Sequence, residues 1–126
     1  MLRFALILLA CPAIADTPMN ASEFEAFSKG RTLTFGIDGE NYGVERYLPG
    51  RRVIWSFLDG QCEQGYWYEE NTSICFVYNF EPEPQCWQMF ETATGIRTIF
   101  MNDPQTTATY QISEDQEPLI CNGLGA

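Results

Sequence analysis

From Arg31 onward the chain is written in short runs of aromatic and β-branched residues, broken every eight to twelve positions by Gly, Pro, Asn or Asp. That spacing is the rhythm of an all-β domain. It predicts strands near 31–37, 42–48, 51–58, 62–69, 73–79, 85–92, 96–102 and 106–112. About eight antiparallel strands in a meander leave two exposed edges unless the sheet closes, so the expected architecture is an up-and-down barrel or a strongly curled half-barrel. A sandwich of two sheets is the alternative. The connections have turn chemistry of their own: Asp38-Gly39 and Asp59-Gly60 suit positive-φ positions, Pro49-Gly50 suits a type II turn, and Asp103-Pro104 stops a strand.

A different period precedes the strands. Ser22 and Glu25 have the spacing of a capping box, Phe24 and Phe27 fall three apart on one face, and Gly30 ends the segment, which predicts one short helix able to plug an end of the barrel. Within the strands, Ile74, Phe76 and Tyr78 alternate with Cys75 and Val77, and Val53, Trp55 and Phe57 with Ile54 and Leu58. Both faces are apolar there. The second face should therefore be covered by the helix, by the tail after residue 113, or by a partner.

The first fifteen residues read as a secretory signal, with Arg3 in the n-region, an apolar stretch over 4–10, and Ala13-Ile14-Ala15 as the cleavage site. The apolar run is too short for a bilayer span. Cleavage after Ala15 leaves a single β-domain with its helix over 16–113 and a tail over 114–126; Leu8-Leu9-Ala10-Cys11 also has lipobox character, the lesser expectation. Cleavage removes one of the five cysteines. The remaining four predict two disulfides in a periplasmic or secreted protein, and no close CxxC knuckle supports a zinc site instead. A hairpin centred between Phe80 and Glu81 sets Cys75 opposite Cys86, leaving Cys62 for Cys121.

Charge and composition then narrow the chemistry. The sequence holds 17 acidic and 7 basic residues and no histidine, a net charge of -10. Histidine-dependent catalysis and histidine-bound metal are excluded. Nucleic acid and anionic membrane surfaces are disfavoured partners, since Arg51-Arg52 is the only basic pair. No cofactor motif is present. Asp38-Gly39-Glu40-Asn41 lacks the ligand register of a calcium loop and reads as a turn.

The segments Tyr47-Leu48-Pro49-Gly50-Arg51-Arg52, Gly65-Tyr66-Trp67-Tyr68, Ile74-Cys75-Phe76-Val77-Tyr78, Gln85-Cys86-Trp87 and Cys121-Asn122-Gly123 give most of the mature chain a spaced G-x-W, C-F and C-W pattern. In this it resembles a group of small exported alphaproteobacterial proteins of uncharacterised function. The resemblance implies a periplasmic location and a small β-domain loosely similar to lipocalin-like barrels. It transfers no catalytic or binding residue. Bacterial lysozyme-inhibitor barrels are also small, acidic and disulfide-stapled, but their Ser-Gly-x-x-Tyr loop is not found here.

The densest cluster of candidate chemistry is Tyr66, Trp67, Tyr68, Glu69 and Glu70. An aromatic platform beside a carboxylate suits a sugar, a cationic amine or a basic side chain. The competing reading is that these rings are ordinary core. The expectation is a non-catalytic binding module whose aromatic surface carries Trp55, Tyr66, Trp67, Tyr68, Glu69 and Trp87, rimmed by Glu63, Glu69, Glu70 and Glu91. Its partner would be a basic protein or a small apolar ligand. Two alternatives are inhibition of a basic enzyme such as a lysozyme, and a small hydrolase using a carboxylate pair drawn from Glu45, Asp59, Glu63, Glu69 and Glu91. Such a pair must sit roughly 5 to 9.5 Å apart across a cleft. Burial of Trp55, Trp67 and Trp87 would remove the surface patch.

Overall fold

The computed structural model describes residues 16–114 and 117–122. The expected signal segment with Cys11, and the last residues of the tail, lie outside them. The chain forms a helix α1 (Ala21–Ser28) and eight strands: β1 (Thr32–Ile37), β2 (Glu40–Leu48), β3 (Arg52–Ser56), β4 (Glu63–Glu70), β5 (Ser73–Tyr78), β6 (Glu81–Thr92), β7 (Gly95–Phe100) and β8 (Tyr110–Glu114). Each strand pairs antiparallel with its chain neighbours. β8 pairs with β1, from Leu33 opposite Glu114 to Ile37 opposite Tyr110, so the sheet is a closed barrel and not a sandwich.

Alternation sends one set of side chains inward. Leu33, Val53, Ile74, Phe76, Met89, Ile96 and Ile112 are buried there, and Trp55, Trp67 and Trp87 join them. Two glycines make room for large rings on the inner wall. A Cβ on Gly43 would lie 2.1 Å from the Trp55 indole, and one on Gly65 would lie 2.7 Å from the Tyr78 ring. Strand glycines of this kind mark close approach rather than flexibility.

The helix closes one end of the barrel. Phe24 is fully buried and meets Tyr47, Trp67 and Phe76 edge-on, with ring centroids at 5.6, 5.1 and 6.2 Å. Its capping box uses Asn20 and Glu23, not Ser22 and Glu25. Both pairs have the same spacing, and packing decides between them. Met19, immediately before Asn20, is buried in the core with Phe24, the arrangement of a hydrophobic staple, and its N–H donates to the Met89 carbonyl at 2.7 Å. Released from capping, Glu25 pairs with Arg51 at 3.4 Å.

Both disulfides form as expected, Cys62 with Cys121 and Cys75 with Cys86. The hairpin behind the second differs from expectation. It turns at Asn79-Phe80, and β6 begins at Glu81 rather than residue 85, with a register shift between Phe76 and Tyr78 that restores Cys75 opposite Cys86. Pro82 and Pro84 cannot donate to a ladder, which places the irregularity there. Asn102 covers the gap, accepting from the Cys86 N–H at 2.9 Å and donating to the Pro84 carbonyl at 3.0 Å.

β8 also starts later than expected, at Tyr110. Thr109 is held outside the ladder by the first turn: its N–H donates to the Asp38 carboxylate, and its carbonyl accepts from the Asp38 N–H, both at 2.9 Å. That turn has positive φ at Asp38 and Gly39 as predicted, whereas at 58–60 the positive φ falls on Leu58 and Gly60 instead of Asp59. Cover on the outer wall comes from the tail. Thr34, Val44 and Ser56 form one register row across β1, β2 and β3 and all are buried. The Glu117 N–H donates to the Thr34 hydroxyl at 3.1 Å, and the Asn122 N–H to the Gly60 carbonyl at 2.7 Å.

Candidate functional site

Opposite the helix the barrel is left unfilled. A cavity of about 410 Å³ opens at the ends of β1, β3, β5 and β7, where β2, β6 and β8 begin. Ten of its thirteen lining residues are aromatic. Phe35, Trp55, Phe76, Tyr78 and Trp87 form the deeper wall, and Phe57 and Phe80 stand at the rim, 53 and 43 % exposed. The rim rings continue the inner ladder: Phe80 stacks on Tyr78 at 5.4 Å, and Phe57 meets Trp55 edge-on at 5.1 Å. On the far side Trp87 packs against Phe100 at 4.6 Å and Tyr110 at 5.0 Å.

One ionisable carboxyl lies in this wall. Glu45 points inward from β2, in phase with Gly43 and Tyr47, and is fully buried. The Tyr78 hydroxyl donates to its Oε2. Its Oε1 has no hydrogen-bond partner, and neither do the buried Tyr47 hydroxyl and Trp55 Nε1. Tyr47 lies close enough to favour the carboxylate electrostatically, though without the geometry of a hydrogen bond. Burial dominates and pushes the Glu45 carboxyl up to about 8, against the smaller pull of the two tyrosines. Burial likewise raises the Tyr78 and Tyr47 phenols, and the Glu45 charge adds to it. Tyr42 is raised by burial first, then by Tyr110 and Glu45. At neutral pH the site is thus a mostly uncharged acid among three protonated phenols.

The residues singled out in the sequence are divided by this geometry. Trp55 and Trp87 line the cavity. Trp67 belongs to the helix end, between Phe24 and the Arg51 guanidinium, which sits 4.7 Å over its ring. Tyr66 and Tyr68 turn outward from β4, 6.3 Å apart, and Glu69 is exposed beyond them. The three tryptophans are 6, 3 and 8 % exposed, so no outer apolar patch is centred on them. Glu63, Glu69, Glu70 and Glu91 stand outside the cavity. Among the described residues Glu45 is the sole carboxylate in its lining, so no acid pair converges there.

Composition pointed to aromatics, but not to which end of the barrel would be left open. Glu45 had a readable signal: an acid two residues from Tyr47 shares the phase of a core-facing ring. Glu70, Cys75 and Cys86 also lie close together on the outer wall, but both sulfurs are committed to the disulfide. No helix among the described residues is long and apolar enough to cross a membrane. No family model matches this chain, and neither a curated protein nor a solved structure is similar to it at a significant level, so the site rests on its own geometry.

Proposed function

We propose that the protein is an exported, non-catalytic binding module that takes one small apolar ligand into the aromatic mouth of its barrel. The observation that carries this reading is the cavity itself: about 410 Å³, almost wholly aromatic, with a single buried carboxyl. Its volume lies within the range of small-molecule sites, and apolar walls with very few polar groups are their usual composition. Two stiff rings at the rim add contact area at little entropic cost. A hydrolytic reading lacks the second carboxylate such chemistry needs.

Periplasmic residence fits the two disulfides and the signal-like residues 1–15. Intact mass of the full chain expressed in a Gram-negative host tests it: a mature N-terminus at Asp16 is expected, and an acylated Cys11 would overturn the soluble form. The site is tested with the fluorescent apolar probe N-phenyl-1-naphthylamine. Saturable one-to-one enhancement is expected in the wild type, with affinity reduced about tenfold by Ile37→Trp, which puts bulk into the mouth. Absence of enhancement, or indifference to Ile37→Trp, would remove the mouth as a binding site.

A further inference from the structure

The mouth is chemically one-sided. Ten of its thirteen lining residues are aromatic, and the face of an aromatic ring carries negative potential. Glu45, the single carboxyl among the described lining residues, is fully buried, and its Oε1 lacks a hydrogen bond. Among the described residues, no Lys or Arg is in the lining. Three arginines lie instead against rings outside the cavity, Arg31 on Phe27, Arg51 on Trp67 and Arg97 on Phe90. The chain as a whole carries -10. An anionic ligand would meet no counter-charge among the described lining residues. A cation would meet aromatic faces, an unpartnered carboxyl oxygen and an attractive field.

Building on the reading of the mouth as a ligand site, we infer that its ligand is a small organic cation: an apolar, preferably aromatic body bearing one protonated amine that donates to Glu45 Oε1. The groups facing that carboxyl are Tyr42 and Tyr47 from β2 and Tyr78 from β5, and none of them brings a positive charge. The ammonium is therefore the charge that ionises the acid. When the cation enters, Glu45 releases its proton to solvent and the site holds an ammonium–carboxylate pair, with Tyr78 still donating to Oε2. Affinity for the cation consequently falls as pH falls, while a neutral ligand of the same shape shows no such slope.

Three indoles of one skeleton separate the outcomes: tryptamine as the cation, tryptophol as the neutral analogue and indole-3-acetate as the anion, titrated calorimetrically at pH 8. Tryptamine is expected to bind about tenfold more tightly than tryptophol, with indole-3-acetate weakest. Lowering the pH to 6 should weaken tryptamine several-fold and leave tryptophol unchanged. Glu45→Gln should remove the preference, so that tryptamine and tryptophol bind alike. Tryptophol or indole-3-acetate binding as tightly as tryptamine overturns the inference and leaves the apolar site standing. So does a tryptamine preference that survives Glu45→Gln or shows no pH slope in the wild type, a measurement that needs no variant. If N-phenyl-1-naphthylamine binds and none of the indoles does, the cation is again excluded. Failure of all four ligands ends both readings.

Discussion

The two ends of the barrel are built from the same residue types and reach opposite states. At one end Phe24 enters among Tyr47, Trp67 and Phe76, and Arg51 closes over Trp67, so every ring has a neighbour from its own chain. At the other, Trp55, Tyr78 and Trp87 surround unfilled space, and Phe57 and Phe80 stand half in solvent. Aromatic content alone does not distinguish a core from a binding site; a stopper does. The described residues hold one helix, and it is seated at one end.

The strongest way to break this contrast is to remove the stopper. Phe24→Ala should destabilise the protein by about 3 to 5 kcal/mol, because a fully buried ring is lost from a site with little room to relax. Urea unfolding measures it, and a loss under about 1 kcal/mol would mean the helix is not part of the core.

Next in size is the strap on the outer wall. The Cys62–Cys121 bridge spans 59 positions, and Cys62→Ser with Cys121→Ser should cost about 2 to 4 kcal/mol on loop entropy. Hydrogen exchange should then rise at Thr34, Val44 and Ser56 while amides of α1 and β7 keep their protection.

The third test addresses charge. Burial gives the Glu45 carboxyl a higher pKa in the native chain than its ordinary 4.5, so the native state binds more protons between about 4.5 and about 8. Stability contributed by this group is therefore intact below that window and falls as pH rises through it. Glu45→Gln removes the slope, and should be more stable than wild type by several kcal/mol, up to about 5, at pH 9 and nearly equal to it at pH 4. Parallel denaturation curves at the two pH values decide this.

The smallest stability effect belongs to the rim. Phe80→Ala should change stability by less than about 1 kcal/mol, since the ring is substantially exposed, yet weaken N-phenyl-1-naphthylamine binding several-fold. A large stability loss would make Phe80 core rather than rim.

Local signals in this chain carried far, and they failed where a choice depended on distant segments. Turn residues with a mechanism, such as Asp38-Gly39, follow from local backbone geometry and were legible. So was closure, because an open eight-strand meander leaves edges. The Cys75–Cys86 pairing, by contrast, was reached through a hairpin centred between Phe80 and Glu81 and holds only because a register shift between Phe76 and Tyr78 restores it. The choice between Asn20 and Ser22 as N-cap required knowing that Met19 would find Met89, and the late start of β8 required the Asp38–Thr109 contact. The candidate site was half legible: Trp55 and Trp87 are in its wall, but Trp67 shares their chemistry and lies at the closed end. Parity assigns a ring to the inside of a barrel and says nothing of which end is stoppered.

The order of strands around the ring carries a consequence for how the molecule is put together. Seven of its eight ladders join consecutive strands, each of which can zip outward from its own turn with little loop to close. The eighth, between β1 and β8, brings Leu33 to Glu114 across nearly the whole domain and carries the largest closure entropy. The barrel is thus a ribbon with one seam: a circular permutant cut in the Asn71-Thr72 turn, with a linker long enough to run from the tail beside Gly60 at the mouth to the start of α1 at the closed end, would move the slow, long-range step to β4 and β5. The wall of the mouth would be unchanged in such a chain, and only the order in which its staves are laid would differ.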